Sequence, residues 1–315
     1  MRVFVTGGAG FVGSNVVAVA TERGDDIVAT VRSVPPLPDP ACRYVTVDLL
    51  DAAATRAAVA EAQPDVIVHT AIFNDFLGIY ADRKLAWDSY VGVTHTLADA
   101  VNEQGAALLT ISTDWVFDGT QSGADETTPP NPINYYGVLK ATSEVVTLER
   151  AREPIVARVA GVMGMHRAGR EVPRAQDPGF GYFVAAVVDS LSAGEPFTVW
   201  ESESINMVAT PSLASLSATW MLELAERGLR GVFHCCGSEA ITRMELARET
   251  ARVFELEERL LRSGPPDPAA LPPAPIPFDT SLNATATASA LGVELPSVRE
   301  LLRRFRAERS TAEPK

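Results

Sequence analysis

The chain has 315 residues, 46% hydrophobic and 21% charged, with 27 Lys and Arg against 40 Asp and Glu for a formal net charge of −13. That apolar fraction excludes bulk disorder, and the length suits one large or two modest domains. The negative field, with no Lys/Arg cluster to offset it, argues against nucleic acid and anionic bilayers as partners; an anionic ligand would have to be caught locally, by backbone N–H groups and a few placed cations.

The first third alternates short β-branched runs with longer helical stretches, the pattern of βαβ units feeding a parallel sheet. Residues 3–6 read as a strand, 14–23 as a helix closed by Gly24, 27–31 and 44–47 as strands, and 55–62 as a helix. Residues 66–70 form an unbroken apolar run expected of a buried strand; 85–104 predicts one long helix ended by Gly105, and 107–112 the next strand. After Pro129-Pro130-Asn131-Pro132 a helix restarts over 136–150, and 155–159 completes six strands. Beyond Gly161 the order loosens into a loop reaching Gly181, a helix over 182–193, a strand over 197–200, a helix over 211–227 and a strand over 231–234, read as a smaller lobe. Residues 242–254 are helical, 263–277 a proline-dense connector, 298–306 a terminal amphipathic helix, and 310–315 a frayed end. The expected fold is α/β: a Rossmann-type doubly wound parallel sheet over residues 1–160, with 161–315 mainly a substrate-binding lobe, partly interleaved with the first.

Cys42, Cys235 and Cys236 are odd in number and two are adjacent, which favours reduced thiols and a cytoplasmic location. The apolar stretch at the N-terminus runs into glycine too soon for a signal-peptide core or a membrane span, so no targeting or anchoring is expected. Without a secretory signal, Asn283-Ala284-Thr285 is read as a chance match to a glycosylation sequon. His69, His95, His166 and His234 have no metal-ligand spacing with one another or with the cysteines, and no metal is expected. A hydrolase lacks its Gly-x-Ser-x-Gly elbow.

Gly7-Gly8-Ala9-Gly10-Phe11-Val12-Gly13 lies between the first strand and the first helix, the context a dinucleotide fingerprint requires. Gly7 permits the tight turn, Gly10 lets backbone approach a pyrophosphate, and Gly13 lets helix pack on strand, with Phe11 and Val12 opening a helix N-terminus toward the anion. The plain alternative is a Gly-rich turn. At the end of the second strand stand Thr30 and Arg32 in place of the carboxylate that accepts from an NAD ribose, so NADP is favoured, with NAD still open; Arg32 either pairs with a 2′-phosphate or merely stacks or faces solvent.

Tyr136 and Lys140, four apart on a predicted helix, leave the same face one turn apart. An ammonium beside a phenol stabilises the phenolate, so Lys140 is expected to lower the pKa of Tyr136, which would protonate a ketone oxygen as hydride reaches its carbon. Thr113, after the fifth strand, is placed to hydrogen-bond the same oxygen.

Together with Ser112-Thr113-Asp114-Trp115-Val116-Phe117-Asp118-Gly119 and Asn134-Tyr135-Tyr136-Gly137-x-x-Lys140, these features resemble the extended short-chain dehydrogenase/reductases, most of all the dTDP-4-dehydrorhamnose reductase group of NDP-sugar 4-ketoreductases. The resemblance spans most of the chain, with further echoes in Asp48-Leu49, His69-Thr70-Ala71, Arg158, Gly231-Val232-Phe233-His234 and Asp279-x-Ser281-Leu282. It implies Thr113, Tyr136 and Lys140 as the catalytic set, with Lys140 also on the nicotinamide ribose and Asp48, Leu49, Thr70 and Ala71 on the cofactor side. It implies a nucleotide-linked 4-keto-6-deoxy sugar as substrate, contacted by Asp114, Trp115 and Arg158. Asp114 either positions substrate or accepts hydrogen bonds in a turn. Dehydratases of this kind resemble a Thr-Asp-Glu pattern; here Trp115 follows Asp114, so elimination lacks its second carboxylate and carbonyl reduction is favoured. Tyr90 falls where the family run Asn-Val-x-Gly-Thr has asparagine. Arg167, Arg170 and Arg174 are either cations for a diphosphate or a solvated loop. The alternatives are an NDP-sugar epimerase and a non-catalytic NADP-binding subunit of the kind that regulates methionine adenosyltransferase. The resemblance also implies a homodimer face on the helices over 85–104 and 136–150.

Overall fold

The computed structural model describes residues 1–73, 75–169 and 176–312. In chain order its first half runs β1 (Arg2–Thr6), α1 (Phe11–Arg23), β2 (Asp26–Val31), β3 (Cys42–Thr46), α2 (Ala52–Ala62), β4 (Val66–His69), α3 (Phe76–Ala81), α4 (Arg83–Trp87), α5 (Val93–Gln104), β5 (Ala107–Thr113), α6 (Tyr135–Arg150) and β6 (Pro154–Val159). The second half runs β7 (Val162–Met163), α7 (Phe183–Ser192), β8 (Phe197–Trp200), β9 (Val208–Ala209), β10 (Ser212–Leu213), α8 (Ala214–Glu226), β11 (Gly231–His234), β12 (Ile241–Thr242), α9 (Arg243–Phe254), β13 (Leu261–Gly264), β14 (Asp279–Thr280), α10 (Thr285–Leu291) and α11 (Val298–Ala312).

Seven parallel strands form the central sheet in the order β11-β6-β5-β4-β1-β2-β3. Their apolar runs are buried because helices cover both faces. On one face Val16, Val17 and Ala20 of α1 meet Ala218, Met221 and Leu222 of α8; on the other Val59 of α2 packs with Leu97 and Val101 of α5. From β1 the chain winds outward through β2 and β3, then returns to place β4 on the opposite side of β1. That reversal opens a crevice at the carboxyl ends of β1 and β4, where such sheets bind ligands. The Gly7 loop and Thr70 both lie there.

Four elements expected from the sequence take a different form. The strand over 231–234 does not belong to a separate lobe: Gly231–His234 pairs in register with residues 155–158 and adds a seventh strand to the sheet. A four-residue apolar run carries no mark of which sheet it joins. The helix expected over 85–104 is broken by a π-helical turn, Asp88–Gly92, and the helix over 211–227 begins only at Ala214 because Ser212–Leu213 pairs with Val162–Met163. The last helix continues to Ala312, through the first residues of the segment expected to fray.

The remaining elements build a smaller lobe around Phe183, Val187, Phe197, Leu246, Leu302 and Phe305. A parallel pair, β8 with β13, and a three-stranded sheet, β12-β9-β14, edge this lobe. β14 returns the late chain to the mouth of the crevice. Among the described residues no helix is long and apolar enough to cross a membrane, and no group of three or more His, Cys, Asp or Glu side chains has metal-site geometry.

Candidate active site

The glycine loop is packed to its limit. Gly7 has φ +69°, which favours glycine, and a Cβ there would sit 2.8 Å from Ala71 Cα. A Cβ on Gly13 would lie 2.2 Å from the Gly7 carbonyl and 2.6 Å from Thr70 Oγ1. The loop is stapled from below: Gly7 N–H donates to Thr30 Oγ1 at 3.3 Å, Ala71 N–H to Thr6 Oγ1 at 3.2 Å, and Thr70 Oγ1 to the Thr6 carbonyl at 2.6 Å. Gly10 is the N-cap of α1, with no side chain to satisfy the first-turn amides, so the N–H groups of Phe11, Val12 and Gly13 begin a helix open to an anion. This is a cradle that a dinucleotide fits and added side chains would fill.

At the far end of the crevice Thr30 is buried and works on the loop itself, while Arg32 is exposed beyond the tip of β2. Asp48 Oδ1 accepts from Leu50 N–H at 3.0 Å, fixing a turn that brings Leu49 against the core beside α2.

At the other end Asn134 caps α6, accepting from Gly137 N–H at 2.8 Å, and this starts the helix with Tyr136 and Lys140 on its inner face. Gly137 allows the approach: a Cβ there would sit 2.3 Å from the Trp115 carbonyl. Lys140 is 6% exposed; its ammonium donates to the Ile111 carbonyl and lies 5.9 Å from the centre of the Tyr90 ring. Burial pushes the Lys140 ammonium down to about 8, with the Glu144 carboxylate opposing.

Tyr136 stands edge-on to Trp115 and to Tyr90, with ring centroids 6.0 and 6.2 Å away, and hydrogen-bonds Thr113. Its phenol is not lowered as the sequence suggested. Burial pushes it up to about 12, the Thr113 hydrogen bond works the other way, and the Asp114 and Asp177 carboxylates raise it further. The Lys140 ammonium is turned to a β5 carbonyl. A phenol held protonated at neutral pH suits an acid rather than a base.

Thr113 Oγ1 donates to Asp114 Oδ1 at 2.9 Å, and Thr280 Oγ1, from β14, donates to Asp114 Oδ2. Asp114 is 5% exposed, and burial pushes it up to about 6 against those two hydroxyl donors. Trp115 walls the site with Ile205 and Ile276. Asp177 faces the same space and is likewise pushed up to about 6 by burial, with Arg243 opposing. Arg243 is fully buried, donating to the carbonyls of Asn206 at 2.7 Å and Asp177 at 2.9 Å, with its guanidinium 4.9 Å from the Phe180 ring.

Arg158 is a correction. Expected on the substrate, it is 2% exposed, donates to both Glu144 oxygens at 2.9 and 2.7 Å, and lies over Phe117. Its fork is spent inside the fold, against α6. Arg167 pairs with Glu308 at 3.2 Å, while Arg170 and Arg174 lie outside the described residues. Sequence reasoning missed Thr280, Asn206, Asp177 and Arg243; the Asp279-x-Ser281 echo was the one signal near any of them.

The RmlD substrate binding domain family matches residues 1–310. The chain is 28% identical over 264 residues to a probable low-salt glycan biosynthesis reductase, Agl14, of Haloferax volcanii, covering 84% of this chain and 83% of that protein. It is 27% identical over 285 residues to methionine adenosyltransferase 2 subunit beta of Xenopus laevis, covering 87% and 78%. The structure of a dTDP-4-dehydrorhamnose reductase from Bacillus anthracis in complex with NADP shares the fold, with TM-score 0.79 and 21% identity over 97% of this chain and 98% of that one.

Proposed function

The chain belongs to the RmlD substrate binding domain family, and we propose that it is an NADP-preferring reductase of a nucleotide-linked 4-keto-6-deoxy sugar. The observation that carries this reading is the Tyr136 phenol, kept protonated and hydrogen-bonded to Thr113 at the end of the crevice that begins with the Gly7 cradle. The first-turn amides of α1 hold the pyrophosphate, Arg32 takes a 2′-phosphate, and Lys140 lies one turn below Tyr136 to hold the nicotinamide ribose. The nicotinamide supplies hydride to the carbonyl carbon. Tyr136 delivers its proton to the carbonyl oxygen, Thr113 stands beside that oxygen, and Trp115 with Ile205 and Ile276 keeps water away.

The test is NADPH oxidation against a panel of dTDP-, UDP- and GDP-linked 4-keto-6-deoxy sugars. The wild type should oxidise NADPH with at least one, and Tyr136→Phe should lose turnover by 100-fold or more, within roughly the range of acid catalysis, while still binding NADPH. Equal turnover in the variant discards the role of Tyr136. A lower KM for NADPH than for NADH should disappear in Arg32→Ala; an NADH preference in the wild type rejects the 2′-phosphate contact. An epimerase of this fold would convert the sugar with no net NADPH consumed.

The similarity to methionine adenosyltransferase 2 subunit beta favours a second reading, a non-catalytic NADP-binding regulatory subunit. NADPH bound tightly but oxidised with no ketone supports it. A homodimer fits either reading: Trp87 at the end of α4 and Val138 and Val145 on one face of α6 are large apolar side chains left exposed.

A further inference from the structure

Thr113, Asp114 and Thr280 form a hydrogen-bonded chain that ends on the Tyr136 phenol. A hydroxyl has one proton to give. Thr113 gives its proton to Asp114 Oδ1, and Thr280 gives its own to Oδ2, although Asn206 Oδ1 at 3.3 Å and the Val208 carbonyl at 3.4 Å stand by as other acceptors. In this arrangement the Thr113 hydroxyl proton is committed to Asp114 and is not free for a substrate oxygen. Thr113 becomes a donor toward the phenol once Asp114 itself carries a proton, while Thr280 turns to Asn206 or Val208.

Resting on the reductase reading above, we propose that Asp114, steered by Thr280, reloads the catalytic phenol through Thr113. In the step, the carbonyl carbon gains hydride and its oxygen gains the Tyr136 proton. The phenolate then takes the Thr113 hydroxyl proton, Thr113 takes the Asp114 proton, and Asp114 is left as a carboxylate to be protonated from water. One hydride and one proton are consumed for each C=O converted to CH–OH. Asp114 and Thr280 are positioning residues for this relay; neither touches the reacting oxygen.

The groups facing Asp114 suit such a store. They are Thr113 from β5, Thr280 from β14, the phenol of Tyr136 from α6 and the thiol of Cys236 after β11. Its own value, pushed up to about 6 by burial, lies where a carboxyl exchanges protons near neutrality. The partners come from distant chain: Thr280 lies 166 residues from Asp114, so its hydroxyl links the smaller lobe to the catalytic end of β5.

The experiment combines two readouts on the full chain. With a ketone the wild type reduces, kcat should rise as pH falls through about 6, and Asp114→Asn should flatten that limb and lower kcat at least tenfold with NADPH affinity unchanged. Thr280→Val removes a donor to the carboxylate and should move the limb to higher pH, with Thr280→Ser restoring it. Carboxyl-carbon NMR of labelled aspartate, with the Asp114 signal identified by its loss in Asp114→Asn, should show the same displacement without any substrate. An unmoved Asp114 titration in Thr280→Val overturns the steering. An active wild type whose Asp114→Asn variant keeps the acid limb overturns the relay alone, whereas a wild type inert toward every ketone overturns the reductase reading.

Discussion

The Arg158 guanidinium is gripped by both carboxylate oxygens of Glu144, at 2.9 and 2.7 Å, with side chains 2% and 3% exposed. The pair joins β6 to α6, and its other contacts, His234 Nε2 at 3.3 Å and the Phe117 face, are equally interior. Removing one member leaves the other charged, buried and unmatched, which costs about 3–5 kcal/mol, whereas replacing both with apolar residues of similar volume is close to neutral. Arg158→Met should therefore lower unfolding stability by that amount in chemical denaturation, and Arg158→Met/Glu144→Met should regain most of it. A stable Arg158→Met protein with a raised KM for the sugar would return Arg158 to the substrate.

Glu144 also stands one turn from Lys140 and holds its ammonium up against burial, which pushes it down to about 8. As pH rises through about 8, Lys140 loses its proton and the site loses this buried cation, so under the proposed reduction turnover should fall on that alkaline limb. In Glu144→Gln the supporting carboxylate is gone and the limb should move to lower pH. The pH profile of kcat, measured where the variant remains folded, checks the sign; a limb displaced upward contradicts it.

The parts of this site written close together were legible in the sequence. The glycine spacing, the four-residue step from Tyr136 to Lys140 and the Thr113-Asp114-Trp115 run are local, and a helix or strand period places their side chains without further information. What was hidden depends on chain brought from far away. Thr280 reaches Asp114 across 166 residues, and Arg243 reaches the Asp177 carbonyl across 66. The helix over 85–104 reads as continuous because a π turn changes backbone pairing without changing composition, yet that turn carries Tyr90 toward Tyr136 and Lys140. Arg158 misled for a related reason: an arginine at the end of a sheet strand points either into the cleft or into the fold, and the Glu144 that decides is 14 residues away on another element.

The Gly7 loop admits no side chain at its closest point. Gly13→Ala would place a methyl group 2.2 Å from the Gly7 carbonyl and 2.6 Å from Thr70 Oγ1, both fixed by the loop's own hydrogen bonds. The first turn of α1 must shift and its amides leave the anion. NADPH affinity should drop by tenfold or more, about 1.4 kcal/mol for each factor of ten, read by nucleotide fluorescence. Gly24→Ala is the control: its φ of +75° strains any side chain, but nothing lies within 4 Å, so stability should fall with NADPH affinity intact.

His69 closes β4 beneath the cradle, with Nδ1 2.7 Å from Thr6 Oγ1. Burial, and then the Lys140 charge, push its imidazole down to about 3. The unfolded chain takes up a proton near the ordinary histidine value of about 6.5, so between those two values the unfolded state binds more protons and stability rises with pH. The stabilisation is present above about 6.5 and lost as pH falls toward about 3, at roughly 1.4 kcal/mol for each pH unit crossed. In His69→Gln, which has no imidazole to protonate, this dependence is gone. The stability gap between the wild type and His69→Gln should therefore narrow as pH falls from 7 to about 4, followed by urea titration at each pH. A gap that stays constant would mean His69 is charged inside the fold, beside Lys140, against the burial that holds it neutral.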